Sequence, residues 1–493
     1  MSIIQFENLT FSYSGYANAV FDHVSLAFDT SWKTGLIGRN GTGKSTLFKL
    51  LMGEEKFEGT LKKSAECLRF PFIVEDPAKP AIEVFYKLDP YGEEWKLFRE
   101  CSLLGLDAEL LYRPFETLSK GEQTKVLLAI LFTKEHDFLL IDEPTNHLDI
   151  EGRQLVSEYL KQKDGFLLIS HDRDFLDACI DHVISFNRTT IEVQQGNFSS
   201  WYVNRQRQDQ YEQVQNDRLR KDIKRLKEAS RQSKSWSDKV ENTKNGTRVA
   251  GLKPDKGRIG HKAAKMMQKA KNLENRQNKA ISDKEKLLKD VEKGESLKLQ
   301  QLPHFKDVLI EGHDISASYS GKPVFENLDF VIRRGERTAI QGANGSGKST
   351  LLKVLMGQPV DYTGTLEKAS DLQISWIPQD ASHLSGSLKD YLRQEQVDET
   401  LCMTILRKLD FSREQFSTSM DFYSEGQKKK VLLAVSLSRP AHLFIWDEPL
   451  NYIDVISRIQ IEQILEECRP TLVFVEHDKR FTENIATQII HLK

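Results

Sequence analysis

The chain lacks any apolar run approaching the roughly 20 residues that a membrane-crossing helix needs. It carries only five cysteines in 493 residues (Cys67, Cys101, Cys179, Cys402 and Cys468), scattered and without CxxC spacing. A disulfide framework and a structural zinc site are therefore not expected, and a reducing compartment is. The first residues, Met1 to Glu7, have neither the basic region nor the apolar stretch of a secretory signal, so a cytoplasmic chain is expected. Charge of one sign is also missing overall, with 70 Lys and Arg against 72 Asp and Glu. The length implies roughly two to four domains.

Against these absences stands one motif that occurs twice. Gly38-Arg39-Asn40-Gly41-Thr42-Gly43-Lys44-Ser45 returns as Gly342-Ala343-Asn344-Gly345-Ser346-Gly347-Lys348-Ser349, 304 residues later. Each is a GxxxxGK[ST] loop followed by Thr46 or Thr350 and an apolar helix start. Such a loop aims backbone N–H groups at nucleotide phosphates. Its Lys reaches the β- and γ-phosphates, and its Ser hydroxyl, here Ser45 or Ser349, binds Mg²⁺. Glycines are required because a Cβ would hold the backbone away from the anion. The expected ligands are two nucleoside triphosphates with Mg²⁺.

The repeat extends further. Phe138-Leu139-Leu140-Ile141-Asp142-Glu143-Pro144 matches Leu443-Phe444-Ile445-Trp446-Asp447-Glu448-Pro449. A buried strand ending in a carboxylate is the Walker B device, in which Asp142 or Asp447 faces Mg²⁺. The adjacent Glu143 or Glu448 is placed to orient or deprotonate the attacking water. Acids are usually surface residues, but an Asp-Glu-Pro after four apolar residues, twice, argues otherwise. His171 and His477 follow apolar strands 306 residues apart and are candidate γ-phosphate sensors. Tyr13 and Tyr319, also 306 apart, precede the loops and are candidates to stack on adenine, although aromatics near a strand are commonly core. A near-constant offset means two tandem copies of one α/β domain.

Between loop and Walker B lie Leu118-Ser119-Lys120-Gly121-Glu122-Gln123 and Tyr423-Ser424-Glu425-Gly426-Gln427. Here the chain resembles the ATP-binding-cassette superfamily, whose signature is LSGGQ. Both copies depart at the third position and keep the Ser and the following Gly. The resemblance implies a sandwich in which the phosphate loop of one cassette faces the signature of the other. Ser424 and Gly426 then complete the first site, and Ser119 and Gly121 the second. The signature Ser opens a helix whose N-terminus points at the γ-phosphate.

Residues 205–300 hold 27 Lys and Arg against 14 Asp and Glu, a net of +13 in a chain whose total is −2. That concentration is the footprint of a polyanion-binding element, although exposed helices also carry lysines simply as a solvated face. No histidine–cysteine cluster or aromatic repeat marks a base-reading module. The spacing of Leu219, Ile223 and Leu226 predicts a helix over about Arg205 to Trp236. Asn245-Gly246, Gly251, Pro254, Gly257 and Gly260 predict a loop, and a second helix is expected over about His261 to Glu292. Together they make an antiparallel hairpin about 45–50 Å long. Its tip carries Trp236, Lys239, Lys244, Arg248, Lys253, Lys256 and Arg258, a basic surface suited to folded RNA.

Two cassettes, no spanning segment and a basic hairpin between them resemble the ABC-F family over essentially the whole chain. The fold class expected is α/β: two tandem nucleotide-binding domains, 1–203 and 305–493, joined by a helical-hairpin linker, 204–304, with its tip loop at about 237–260. The resemblance implies a monomer with an intramolecular sandwich and no membrane subunit. It also implies binding to the 70S ribosome at the tRNA exit site, with 205–300 touching rRNA and P-site tRNA. Glu448-Pro449-Leu450-Asn451-Tyr452-Ile453-Asp454, Trp32-Lys33 and Arg113-Pro114-Phe115 are similar to the Lsa/Vga antibiotic-resistance branch, which protects ribosomes from lincosamides, pleuromutilins and streptogramin A. The alternatives are a housekeeping ABC-F translation factor, the ATPase subunit of a transporter, and a DNA-repair or chromosome-structuring ATPase. In the chromosome-structuring class the coil interrupts a cassette, whereas here each cassette is intact.

One departure separates the halves. Gln379 in Ile377-Pro378-Gln379 matches the family's Q-loop glutamine, a Mg²⁺ and water contact, while the first half reads Phe70-Pro71-Phe72. Phenylalanine cannot ligate a metal, so unequal sites are expected. The check is steady-state ATP turnover of Glu143→Gln and Glu448→Gln. Near-equal losses would count against the inequality.

Overall fold

The computed structural model describes residues 2–13, 19–134, 137–187, 191–242, 268, 301–319, 322–413 and 415–492. They form two compact units, one of Met1–Trp201 with Ser296–Lys493, the other Tyr202–Glu295.

The first half of the larger unit opens with β1 (Ile3–Phe11), β2 (Phe21–Asp29) and β3 (Lys33–Gly38), followed by α1 (Lys44–Met52), β4 (Glu58–Lys62) and β5 (Cys67–Phe70). Three helices come next, α2 (Ala81–Leu88), α3 (Glu94–Leu103) and α4 (Lys120–Leu131). The half closes with β6 (Phe138–Asp142), α5 (Ile150–Lys161), β7 (Phe166–Ile169), α6 (Arg173–Cys179), β8 (His182–Phe186) and β9 (Ile191–Gln195). After α7 (Phe198–Asn242), the second half repeats the plan. It runs β10 (Val308–Tyr319), β11 (Lys322–Arg333), β12 (Arg337–Gln341), α8 (Lys348–Met356), β13 (Asp361–Lys368) and β14 (Ile374–Ile377). Then follow α9 (Leu388–Gln394), α10 (Glu399–Lys408), α11 (Glu425–Ser438), β15 (Leu443–Asp447), α12 (Val455–Cys468), β16 (Leu472–Val475), α13 (Lys479–Ile485) and β17 (Gln488–His491).

Each half contains two sheets. The larger are ordered β5-β6-β7-β3-β8-β9 and β14-β15-β16-β12-β17, parallel except for β9. The central strands β6, β7, β15 and β16 read as unbroken apolar runs because both faces are covered; Leu140, Ile141, Phe166, Leu167, Phe444, Ile445 and Phe474 are buried. The smaller sheets, β2-β1-β4 and β11-β10-β13, are antiparallel. In β1 the inward residues Ile4, Phe6, Leu9 and Phe11 alternate until Asn8, whose φ of 53° starts a register shift. Asp314, at φ 52°, does the same in β10. A left-handed residue inserted at the same point in both copies keeps Leu9 and Ile315 in the core.

The helix after the first cassette departs from the expected limits. It begins at Phe198, not near Arg205, because Asn197 caps it by accepting the Ser200 N–H at 3.1 Å. It continues to Asn242, into the stretch expected to be tip loop, since no glycine or proline interrupts it before Gly246. The rest of the tip and, apart from residue 268, the second helix lie outside the described residues. No described helix is long and apolar enough to cross a membrane.

The two cassettes meet through α6 and α13. Arg173 on α6 forms a bidentate ion pair with Glu462 on α12 and stands 3.6 Å from Asp478. Asp478 also takes Arg458 at 3.1 Å, and the first cassette repeats that contact as Arg153 to Asp172 at 2.9 Å. All these side chains are buried or nearly so. Removing one member of a buried pair strands its partner's charge. Arg173→Ala is expected to cost about 3–5 kcal/mol, read as a lowered urea-unfolding midpoint. Arg173→Met with Glu462→Met is expected to recover most of that loss. An unmoved midpoint in the single variant would contradict the pairing.

Candidate active site

Both phosphate loops are strand-to-helix turns, from β3 into α1 and from β12 into α8. Gly41 and Gly43 have φ of 83° and 98°, and Gly345 and Gly347 have 85° and 89°, a region that only glycine enters freely. A Cβ on Gly43 would meet Phe21 and Val20 at 2.8 Å, and one on Gly38 would meet Phe186 at 2.9 Å. A Cβ on Gly41 or Gly345 would meet nothing, leaving that face of each loop open to a ligand. Lys44 Nζ donates to the carbonyls of Gly38 (2.7 Å) and Arg39 (2.8 Å). Lys348 does the same to Gly342 (2.9 Å) and Ala343 (2.8 Å). Burial pushes the Lys44 ammonium down to about 8 and lowers that of Lys348, so each is short of anionic partners that a triphosphate supplies.

Ser119 and Ser424 are helix N-caps. The Ser119 hydroxyl accepts the Glu122 N–H at 3.2 Å while Glu122 accepts the Ser119 N–H at 2.7 Å. Ser424 and Gln427 repeat the reciprocal pair at 3.3 and 2.8 Å. Such a capping box leaves the remaining first-turn N–H groups pointing outward for an anion.

The structure brings each phosphate loop against the opposite cassette. Asn40 Nδ2 donates to the Tyr452 carbonyl at 2.9 Å, and Asn344 Nδ2 donates to the His147 carbonyl at 3.2 Å. A Cβ on Gly426 would lie 2.6 Å from Asn40 Nδ2, so only glycine fits between them. Gly121 packs on the His147 carbonyl, where a Cβ would stand at an ordinary 3.5 Å. Arg39 adds an ion pair to Asp410 at 2.9 Å.

The carboxylates differ between the halves. Glu143 (φ 50°) and Glu448 (φ 47°) both sit in the left-handed region, a strained turn that ends the strand and redirects the side chain. Glu448 is bracketed: Gln379 Nε2 and Asn451 Nδ2 donate to Oε2 at 2.9 and 2.5 Å, and His477 Nε2 lies 3.5 Å from Oε1. Burial opposes its ionisation, but the bonds from His477, Gln379 and Asn451 outweigh that and hold it near 2. For Glu143, His171 Nε2 comes within 3.3 Å of Oε1 without forming a hydrogen bond. Burial and the neighbouring Asp142 push its carboxyl up to about 8. Burial, with Lys44 and Arg458 nearby, drives the His171 imidazole well down, so it stays neutral.

Asp447 is hydrogen-bonded by Ser349 and keeps a buried Oδ1 with no partner. An orphaned carboxylate oxygen beside a loop hydroxyl and the Gln379 amide fits Mg²⁺. The fit is incomplete in the first cassette, where Asp142 Oδ2 is already taken by Arg69 Nη2 at 2.8 Å. Phe70-Pro71-Phe72 offers no side-chain oxygen there.

Other residues fall differently. The Tyr13 ring packs edge-on against Phe11 at 4.9 Å, and its hydroxyl lies 3.1 Å from Thr46 Oγ1. Thr350, like Thr46, is buried, and Tyr319 is half-exposed at the end of β10. Sequence reasoning missed Asn451, Arg69, Lys429 and the carbonyls of His147 and Tyr452. Asn451 could have been found, because it pairs with Asn146 in the repeat. A backbone carbonyl leaves no residue signal.

A family model described as "ABC transporter" matches residues 21–146 and 325–451. The chain is 28% identical over 489 residues, 96% of its length and 84% of the relative's, to the ribosome protection protein VmlR of Bacillus subtilis (strain 168). It is 26% identical to the probable ATP-binding protein YbiT of Escherichia coli O157:H7, covering 98% and 95%. The ATP-binding protein Uup of Haemophilus influenzae is also 26% identical, covering 98% and 78%. In fold the chain is similar to the archaeal ribosome recycling factor aABCE1, solved with the stalk protein aP1, at TM-score 0.64, 19% identity and coverage of 98% and 87%. The chain therefore belongs to the ABC transporter family: it is a tandem-cassette ATPase that uses ATP with Mg²⁺, and its full-length relatives are ABC-F proteins.

Proposed function

We propose that this ATPase binds the bacterial 70S ribosome at the tRNA exit site and protects the peptidyl transferase centre from lincosamides, pleuromutilins and streptogramin A. The observation that carries the reading is the basic helix α7. Arg218, Arg220, Lys221, Lys224 and Arg225 on it are all exposed, a density of cations suited to a phosphate backbone. A ribosome protection protein as a relative over nearly the full chain supports it, as does the Leu450-Asn451-Tyr452 form of the second D-loop.

In this reading ATP closes the cassettes. Backbone N–H groups at Gly41, Gly43, Gly345 and Gly347, with Lys44 and Lys348, bind the phosphates. Ser424 and Gly426 cap the first nucleotide, and Ser119 and Gly121 the second. Mg²⁺, when bound, neutralises the triphosphate and fixes its oxygens; Ser349, Asp447 and Gln379 would hold it in the second site. Glu448, ionised and bracketed by Gln379, Asn451 and His477, orients and deprotonates water there. Glu143 with His171 has the equivalent place in the first site. Hydrolysis opens the Asn40–Tyr452 and Asn344–His147 contacts and releases the protein, so bound ATP sets ribosome affinity.

Asn451→Ala is expected to lower kcat about tenfold with little change in KM, since it removes a group that positions the base and does not touch the triphosphate. A change confined to KM would contradict that role. The partner is tested with the Glu143→Gln/Glu448→Gln double variant in co-sedimentation with bacterial 70S ribosomes. Retention with ATP, loss with ADP and weakening at high salt are expected. A folded, ATP-bound variant that stays in the supernatant would overturn the ribosomal reading. Retention without recovery of drug-inhibited translation would point to the housekeeping role.

A further inference from the structure

Besides its phosphate-loop lysine, each cassette places a second cation near its Walker B carboxylates, but not in the same place. In the second cassette it is Lys429 on α11, almost fully buried, whose Nζ donates to the carbonyls of Pro378 (3.0 Å) and Glu448 (3.2 Å). It ties the Q-loop backbone to the catalytic turn and leaves the Asp447 carboxylate to Ser349. The neighbouring strand position is Trp376, which carries no charge. In the first cassette the position of Lys429 is taken by Thr124, whose hydroxyl donates to the Lys120 carbonyl at 3.0 Å. The position of Trp376 is taken by Arg69 on β5, whose guanidinium pairs with Asp142. The cation has moved from helix to strand, and from backbone carbonyls onto the metal-facing carboxylate. Around the vacated position lies a cavity of about 530 Å³, lined in part by Phe70, Phe72, Thr124, Asp142 and Glu143.

We propose that Arg69 stands in for part of the divalent cation's charge, so that the first site holds ATP with little dependence on Mg²⁺ and retains it while the second site turns over. Arginine cannot be deprotonated in proteins, so its charge is permanent. A divalent ion approaching Asp142 meets a carboxylate whose Oδ2 already holds a charge-assisted hydrogen bond, and sits beside a like charge. No Q-loop amide compensates, because Phe72 replaces it. The phosphates of ATP still meet the glycine N–H groups and Lys44, while the Arg69 guanidinium stays one carboxylate away, on Asp142. The inference rests on ATP binding by both cassettes and is independent of the ribosomal reading.

The test measures nucleotide and metal binding and needs no turnover. Lys348→Ala leaves the first site intact and Lys44→Ala leaves the second. Each is titrated with a fluorescent methylanthraniloyl-ATP in excess Mg²⁺ and in excess EDTA. The first site is expected to weaken less than about threefold in EDTA and the second about tenfold or more. Adding Arg69→Gln to Lys348→Ala is expected to make the first site as metal-dependent as the second. Independently, electron paramagnetic resonance of Mn²⁺ on the Glu143→Gln/Glu448→Gln chain with saturating ATP is expected to count one tightly held ion. Equal EDTA sensitivity of the two sites, or two tightly held Mn²⁺ ions, would overturn the proposal. Should Arg69→Gln fail to fold, the comparison of the two sites and the Mn²⁺ count decide it without that variant.

Discussion

Several buried charges find their partners only across the junction between the cassettes. Arg173 of the first finds its counter-charges, Glu462 and Asp478, in the second. The strongest carboxylate acting on Lys44 is Asp454, again from the other cassette, and Arg458 eases the burial of Glu143. An isolated charge in a dry interior is costly unless paired. The arrangement of the two cassettes is therefore held by electrostatic completion. Everything at the nucleotide sites depends on it, because the sites lie at the same seam.

This dependence links ATP to conformation. The lysines of both phosphate loops are depressed by burial while only backbone carbonyls accept from them. A triphosphate supplies the missing negative charge at the place where Asn40 and Asn344 already grip the opposite backbone. In the proposed mechanism, binding energy is spent where the cassettes touch, and loss of the γ-phosphate weakens the seam. The two seams are not equivalent. Glu448 is ionised and held by three groups, whereas Glu143 is pushed towards its neutral form. On the proposal above, the second seam carries the chemistry and the first holds its nucleotide.

Local chemistry made much of this legible. Gly-Lys-Ser at a helix start, an apolar strand ending in Asp-Glu, and Ser-x-x-Glu/Gln at a helix start each encode their geometry within a few residues. The duplication then supplied a second reading of nearly every cassette element, β9 excepted, so the α/β plan of both halves could be read from the repeat. The limits of α7 were less legible. Its cap is a single Asn197 after Gly196, ahead of the apolar spacing of Leu219, Ile223 and Leu226 that marks the helix in the sequence. Its continuation to Asn242 reflects only the absence of breakers. Arg69 was invisible because its partner, Asp142, is 73 residues away and reached through adjacent parallel strands.

Sequence by itself determined the two phosphate loops, the pairing of halves, the ATPase class and the basic character of the intervening segment. These depend on residue type and short spacing, which are written in order along the chain. Tertiary structure alone decided which loop meets which turn, that Asn40 and Asn344 hold carbonyls rather than side chains, and that Asp142 is claimed by Arg69 while Asp447 is not. Those outcomes depend on distances between residues remote in sequence and on the desolvation that packing imposes. A linear pattern records neither.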